Sequence, residues 1–495
     1  MPDKPSNPAA AIEFRILAAI VVLGAALRLA TLDLQSYTHE EAVTASRVLH
    51  DGLADTLSAI PDGESTPPLY YALAWLWSVP FGVGEVALRS LSALTGIGAI
   101  PVAYLAGREL STSRVGLVAA GIVATSPMLI WYSQDARAYE LLVLLTSLSF
   151  LFTARILNRG GSRNLAGWAI FSSLALATHY FALFVIAAEM AVLLARARSR
   201  GLWVGVAVVV ATGLALLPLA LHQAGIPNND WISSEPLLDR LWDVPRKFML
   251  GETGAYINVY GRAAQSSYLN RAVVPGLIAL IGVAMLFRLA DRKERRAAGL
   301  AVAIGGSAVL AALALALAGP DYLLARNLLP AYIPLAVVVA CGLGTRRAGG
   351  WGIALAGALC TLLAAISIYS DARPALRNDD WRGVASSLGP AKQSRLIVTP
   401  FLGDDPLVYY LGDGVRRDNA FVGPVRDLVV VSYGPPRGRA VPPGFARQSS
   451  RRVGYFTVTA YTANRPALVR ARELGTHGLI GSRKAAVLVQ PAATS

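Results

Sequence analysis

Charge and cysteine are scarce in this chain of 495 residues. Charged residues make up 15%, against roughly 25% in an average soluble domain. Hydrophobic residues reach 54%, and the mean hydropathy is positive. That balance excludes an ordinary water-soluble globule and points to a membrane protein. The only cysteines, Cys341 and Cys360, lie inside apolar segments, which rules out a disulfide framework and a Cys-based metal pair. Histidine numbers five, and no short ligand spacing such as HExxH occurs. No internal repeat or low-complexity tail is present. The formal charge of +14 invites a nucleic-acid reading, but Lys and Arg fall in short clusters between apolar segments. Such clusters set membrane orientation, so no nucleic-acid partner is expected. The N-terminus MPDKPSNPAAAIEFR is polar and short. The apolar run behind it has no small-residue cleavage site followed by a polar mature domain, so a retained first span is expected.

Apolar segments of spanning length stand near residues 16–34, 87–107, 115–133, 138–155, 166–181, 182–195, 202–221, 272–290, 298–318, 327–344 and 350–369. This makes about eleven transmembrane helices, two of them short against the 20 or so residues a crossing needs. Residues 69–81, LYYALAWLWSVPF, are apolar but too brief to cross. Their Tyr and Trp content suits an interfacial helix. Threading the spans with the N-terminus cytoplasmic puts Arg108 and Arg114, then Arg155, Arg159 and Arg163, then Arg196, Arg198 and Arg200 on the inner side. Arg288, Arg292, Lys293, Arg295, Arg296, Arg346 and Arg347 follow them there. The positive-inside rule is obeyed throughout. Counting residues 69–81 as a span would turn the later clusters outward.

Two larger pieces are expected outside. Residues 222–271 form a polar loop of a length that suits a cover or binding role. From about residue 372 the composition becomes that of a soluble domain. There RLIVTPF, DLVVVSYG, GYFTVTAY and AAVLVQP read as strands, and DWRGVASSL and DDPLVYYLG as helices. The expected organisation is a transmembrane domain over 1–371, including outer loops 35–86 and 222–271, and a small α/β domain over 372–495.

Acids at the rim of a membrane protein are functional candidates, because charge there is costly unless it lines a wet cavity. The outer connections carry His39, Glu40 and Glu41 in YTHEEAVTA, Asp135 and Arg137 in YSQDAR, His179 and Tyr180 in ATHYFALF, and Arg326 in YLLARNLLPAYIP. Carboxylates facing a basic residue suit acid/base work on a substrate carrying a phosphate. Each candidate also has a plainer role. Thr38 followed three residues later by Glu41 is a capping-box pattern. Asp135 could serve the next helix as a first-turn acid, with Ser133 as cap. Arg137 could neutralise Asp135, and Arg326 could pair with Asp321. His39 could be a rim residue bonded to solvent or a neighbouring acid, and His179 with Tyr180 an interfacial helix-end pair.

YTHEEAVTA, STPPLYYALAWLWSVPFGVGEVALRSLSAL, SPMLIWYSQDARAYELL, LATHYFALF, YLLARNLLPAYIPL and DDWRGVASSL occur in this order between about residues 15 and 415. Together they resemble the motifs of the polyprenyl-phosphate-sugar-dependent membrane glycosyltransferases. The resemblance is to the bacterial branch of the protein O-mannosyltransferase and aminoarabinose transferase superfamily. It implies a GT-C fold: an α-helical polytopic membrane domain with juxtamembrane helices and a small C-terminal extracytoplasmic α/β domain. It further implies transfer of a hexose or pentose from a lipid-phosphate donor to a protein, lipid or polysaccharide acceptor on the outer face of a bacterial inner membrane. By position in the motifs, Glu40 becomes the general base and Asp135 a second acid. Glu41, His39, His179 and Tyr180 become substrate contacts, and Arg326 and Arg137 hold the donor phosphate. No metal or cofactor is expected. The family's first motif usually has Asp then Glu. Here Glu40 precedes Glu41, which adds roughly 1.5 Å of reach. The rival classes are a lipid or polysaccharide transporter, which charges midway along several spans would favour, and a glycan-binding membrane protein without catalysis.

Overall fold

The protein is described by a computed structural model covering residues 8–197, 199–225, 232, 235–252, 270–319, 321–377, 379–412, 414–433, 443–474 and 485–492. It falls into two units by internal contact. The first takes in Met1–Leu32, Asp51–Thr253 and Gly261–Arg373, and the second includes Asp33–His50 and Pro374–Ser495.

The first unit is a helical bundle. Its helices are α1 (Pro8–Leu29) and, beyond the short α2 (His39–Val43) of the second unit, α3 (Leu53–Gly63), α4 (Leu69–Phe81), α5 (Glu85–Leu110) and α6 (Ser113–Thr125). After these come α7 (Pro127–Ser133), α8 (Tyr139–Arg159), α9 (Ser162–Thr178), α10 (Ala182–Arg196), α11 (Arg200–Ala224) and α12 (Leu237–Leu250). The unit closes with α13 (Val273–Leu289), α14 (Arg292–Ala318), α15 (Tyr332–Leu343) and α16 (Gly349–Ala372).

Among the described residues, eight helical stretches are long and apolar enough to cross a membrane, nine if the pair α6 and α7, bent by 56°, counts as one. Ser126 explains the bend: it leaves the helix and its hydroxyl accepts from the Leu129 amide, with Pro127 opening α7. The expected spans 166–181 and 182–195 fall on α9 and α10, whose 17 and 15 residues stop short of a full crossing length. The protein is a multi-pass membrane protein, and its apolar residues face two ways. Ile100, Ala103, Val123, Val143, Phe150 and Val337 are buried in a common core, while Val22, Leu214, Leu280, Phe287, Leu310 and Leu317 are exposed. An exposed apolar belt of this kind is what lipid covers. The segment 69–81 forms the expected short helix, α4. Part of the expected polar loop 222–271 is the amphipathic α12; its residues 226–231, 233–234 and 253–269 lie outside the described residues.

In the second unit six strands form one sheet. They are β1 (Arg395–Pro400), β2 (Arg416–Arg417), β3 (Val422–Tyr433), β4 (Phe445–Val453), β5 (Phe456–Arg470) and β6 (Ala485–Gln490), in spatial order β2-β6-β1-β3-β5-β4. β1 runs parallel to β3 and antiparallel to β6. Both faces of β1 are covered: Leu396 and Val398 join one apolar cluster and Ile397 the other. That is why RLIVTP reads as a continuous apolar run instead of an alternating one. Helices α17 (Trp381–Leu388) and α18 (Asp404–Leu411) cover the Ile397 face through Trp381, Val384 and Leu407. The short α19 (Ala471–Leu474) lies on the other face. All four expected strands and both expected helices are present. β2 and β4 were not foreseen, because RR and FARQSSRRV lack an apolar rhythm.

Residues 33–50 are tied to α17 and α18. The Trp381 amide donates to the Ser36 hydroxyl (3.0 Å), which donates to the Asp379 carbonyl (2.6 Å). The Tyr37 amide donates to the Tyr410 hydroxyl (2.7 Å).

Candidate functional site

The expected capping box starts α2. The Glu41 amide donates to the Thr38 hydroxyl (3.2 Å) and the Thr38 amide to Glu41 Oε2 (3.0 Å). Glu41 is buried and spent on this reciprocal pair, whereas Glu40, one helical step of about 100° away, is half-buried. After five residues α2 widens into a π-helical turn, Thr44–Val48, of a kind that recurs at functional sites.

His39, at the head of the same helix, faces two acids of α18. Its Nδ1 lies 3.6 Å from Asp404 Oδ1 and 3.4 Å from Asp405 Oδ2. The outer oxygens of both carboxylates are taken by arginines: Arg417 reaches Asp404 Oδ2 at 2.8 Å, and Arg47 pairs with Asp405 Oδ1. Burial first, and the neighbouring Asp404 second, push the Asp405 carboxyl above its ordinary range. Nearby, Tyr433 donates to Asp379 Oδ2 (2.8 Å), yet burial raises Asp379 to about 6.

The remaining candidates belong to the first unit. Asp135 stands in the turn between α7 and α8, half-buried, and its carbonyl accepts from the Arg137 amide (2.7 Å). Arg137 is buried and its guanidinium pairs with Glu64 (2.7 Å), a residue the sequence reading did not single out. Tyr71 stands beside this pair, its hydroxyl 2.7 Å from that of Thr66. Burial holds its phenol well above the ordinary value.

His179 caps α9 in the turn before α10. Its ring lies 5.7 Å from that of Tyr139 and 4.9 Å from that of Phe181. Burial, then the charges of Arg137 and Arg326, hold its imidazole down to about 3. The shift favours the neutral imidazole, and both expected phosphate-binding arginines bear on the same ring. Tyr180 turns away: its hydroxyl donates to Gln223 Oε1 (2.7 Å), and burial raises it to about 12.

Two local expectations are corrected. Asp321 pairs with Arg240 (2.6 Å), and that bond holds its carboxyl below the usual range, so it is not the anion reserved for Arg326. Ser133 does not cap α8, which starts at Tyr139 with Ala138 as an uncapped N-cap. Its hydroxyl instead accepts from Arg28 Nε (3.0 Å) and donates to the Leu129 carbonyl (2.7 Å).

Arg28 is wholly buried and also donates to the carbonyls of Gly24 (3.1 Å), Ala124 (2.9 Å) and Val123 (3.0 Å). Gly96 makes room for it. A Cβ there would overlap the Ser133 hydroxyl and stand 2.8 Å from Glu140 Oε2 and 3.1 Å from Arg28 Nε. Neither Arg28 nor Glu140 was singled out from the sequence. The available signal was one basic and one acidic residue in different apolar runs, which a low-dielectric interior brings together. Both stand in end turns of their helices, not midway. Glu189 is the mid-helix exception: it accepts from Trp168 Nε1 (3.1 Å) and pairs with Ser149.

Comparison with known proteins bears on this geometry. Residues 65–222 match the sequence model of the dolichyl-phosphate-mannose-protein mannosyltransferase family. No curated protein sequence matches the chain. Among solved structures, the chain is similar to ArnT from Cupriavidus metallidurans bound to undecaprenyl phosphate, at 14% identity and a TM-score of 0.53, over 90% of this chain and 97% of that one. Looser likenesses extend to the arabinofuranosyltransferase AftD from Mycobacteria, at 17% identity and TM-score 0.43 over 90% of this chain and 41% of that one. They reach also the S. cerevisiae Pmt1-Pmt2 complex bound to its sugar donor, at 15% identity and TM-score 0.32 over 43% and 33%. The chain thus has the fold of the GT-C glycosyltransferases, and its segment 65–222 is similar in sequence to the dolichyl-phosphate-mannose-protein mannosyltransferases.

Proposed function

We propose that this protein transfers a sugar from a polyprenyl-phosphate donor to an acceptor hydroxyl on the outer face of a bacterial inner membrane, with its N-terminus in the cytoplasm. The observation that carries the reading is the focus of positive charge from Arg137 and Arg326 on the neutral ring of His179. That focus lies in a bundle sharing its fold with a protein solved with undecaprenyl phosphate bound. A pair of guanidinium groups, one buried and one half-buried, suits a phosphate monoanion or diester.

In the proposed reaction the Glu40 carboxylate accepts the acceptor's hydroxyl proton as the oxygen attacks the anomeric carbon. The bond from that carbon to the phosphate oxygen breaks, and its electrons leave with the lipid phosphate. Arg326 and Arg137 stabilise the charge that grows on the leaving phosphate. Asp135, His39, Glu41, His179 and Tyr180 are assigned to positioning the sugar and acceptor. Glu41 does so indirectly, by starting the helix that carries Glu40. The transmembrane domain 1–371 would hold the donor, and the loop 222–271 and the domain 372–495 would select the acceptor. Of the rival readings, transport is disfavoured by the end-turn positions of Arg28 and Glu140.

Purified protein should carry a lipid-linked sugar detectable by mass spectrometry. Given a radiolabelled polyprenyl-phosphate sugar and membrane extract, it should move label from the lipid fraction to an acceptor fraction. Label that stays on the lipid in every extract tested contradicts the proposal.

A further inference from the structure

The proposed transfer chemistry uses His39 but neither of the acids it faces, and the cluster they form has a geometry of its own. Asp404 is fully buried and Asp405 nearly so. Asp404 Oδ1, Asp405 Oδ2 and His39 Nδ1 make no hydrogen bond, although each is turned toward the others. The separations of 3.4 and 3.6 Å are long for charge-assisted hydrogen bonds, which run at about 2.7–2.9 Å. They match instead the edges of a coordination tetrahedron. Ligand atoms about 2.0–2.2 Å from a zinc-like ion stand about 3.3–3.6 Å from one another. All three atoms lie within 4.8 Å of one another.

The supporting shell is also in place. Arg47 pairs with the outer oxygen of Asp405, and Arg417 stands 2.8 Å from that of Asp404 as an ion pair without hydrogen-bond geometry; the two charges set the inner oxygens toward the imidazole in the way outer partners orient metal ligands. Phe401 flanks the cluster, its ring 6.1 Å from that of His39, with Arg417 over its face at 5.1 Å.

We infer that His39 Nδ1, Asp404 Oδ1 and Asp405 Oδ2 form a binding site for a divalent cation of the zinc class. One nitrogen and two oxygens suit a borderline ion, and three protein ligands leave a coordination position open. The ion would fix α2 to α18 one residue before Glu40. The inference departs from the metal-free expectation. The sequence held no trace of it, because the ligands come from distant parts of the chain.

The test uses full-length protein in detergent, stripped with EDTA, reloaded with zinc chloride, desalted and assayed by inductively coupled plasma mass spectrometry. Wild type is expected to retain zinc in equimolar amount and to melt at a higher temperature when loaded. Asp405→Asn and His39→Ala are expected to lose both effects while melting like stripped wild type. Wild type that retains no zinc is an ion-pair cluster only, and overturns the inference; so does equal retention by both variants. Should a variant fail to fold, zinc-edge X-ray absorption of the wild type decides. A shell of nitrogen and oxygen at about 2.0–2.1 Å with a single imidazole supports the site. Two or more imidazoles, or sulfur, rule it out. Zinc retention is read without sugar transfer, so failure of this inference and failure of the proposed function are separately visible.

Discussion

Two regions of this protein use the same pairing, an arginine on a buried carboxylate, in opposite ways. In the first unit, Arg137 and Glu64 meet at 2.7 Å and both are buried, so the pair is closed at that contact and Glu64 orients the guanidinium proposed to face the donor phosphate. In the second unit, Arg417 meets Asp404 at a similar 2.8 Å and Arg47 meets Asp405, but each carboxylate keeps an inner oxygen without a hydrogen bond. A closed pair fixes the direction of its arginine. An open carboxylate keeps an oxygen for coordination, which is what a cation requires.

The largest effect that would break this comparison is the loss of one partner of the closed pair. Arg137→Ala leaves Glu64 charged and buried, and should lower unfolding stability in detergent by about 3–5 kcal/mol. The double variant Arg137→Met with Glu64→Gln should recover most of that loss. An Arg137→Ala protein as stable as wild type would show that the pair is not closed.

Next in size is a pH effect at Asp379, whose folded pKa of about 6 stands above an unfolded value near about 3.9. A raised carboxyl favours folding while protonated. The contribution is full below about pH 4 and is lost as pH rises through about 6, by an amount on the order of 2–3 kcal/mol. Asp379→Asn, which can still accept from Tyr433, should match wild type at pH 4 and be the more stable of the two at pH 7. Parallel stability curves for the two proteins contradict this. The smallest effect concerns the start of α2. Thr38→Ala removes one half of the capping box and should cost about 0.5–2 kcal/mol, read as a lower melting temperature of the second unit.

Much of this architecture is legible in the chain, for physical reasons that also mark where legibility ends. Runs such as VVPGLIALIGVAMLF need no partner to be recognised, because lipid demands continuous apolar surface. RLIVTP is equally plain, since both faces of its strand are buried. The capping box of Thr38 and Glu41 is local, a matter of spacing alone. The two segments around the His179 turn read as short in the sequence, and α9 and α10 are short in the structure, at 17 and 15 residues. Pairing is what sequence withholds. The Glu64 partner of Arg137, the Arg240 partner of Asp321, and the meeting of Arg28 with Ser133 arise from packing between distant segments. The same holds for His39 with Asp404 and Asp405. An arginine at the rim announces that it needs an anion but not which one: Arg137 meets Glu64, and Asp321 is taken by Arg240.

The division of labour within α2 is the centre of this account, with Glu41 as brace and Glu40 as base. Turnover of radiolabelled polyprenyl-phosphate sugar by wild type, Glu40→Gln and Glu41→Gln, each normalised to folded protein, tests it most directly. Glu40→Gln should fold as wild type and lose at least about 100-fold in rate, the usual scale for a general base. Glu41→Gln should melt lower and keep its rate per folded molecule. Equal turnover by Glu40→Gln and wild type, or a well-folded but inactive Glu41→Gln, would contradict the assignment.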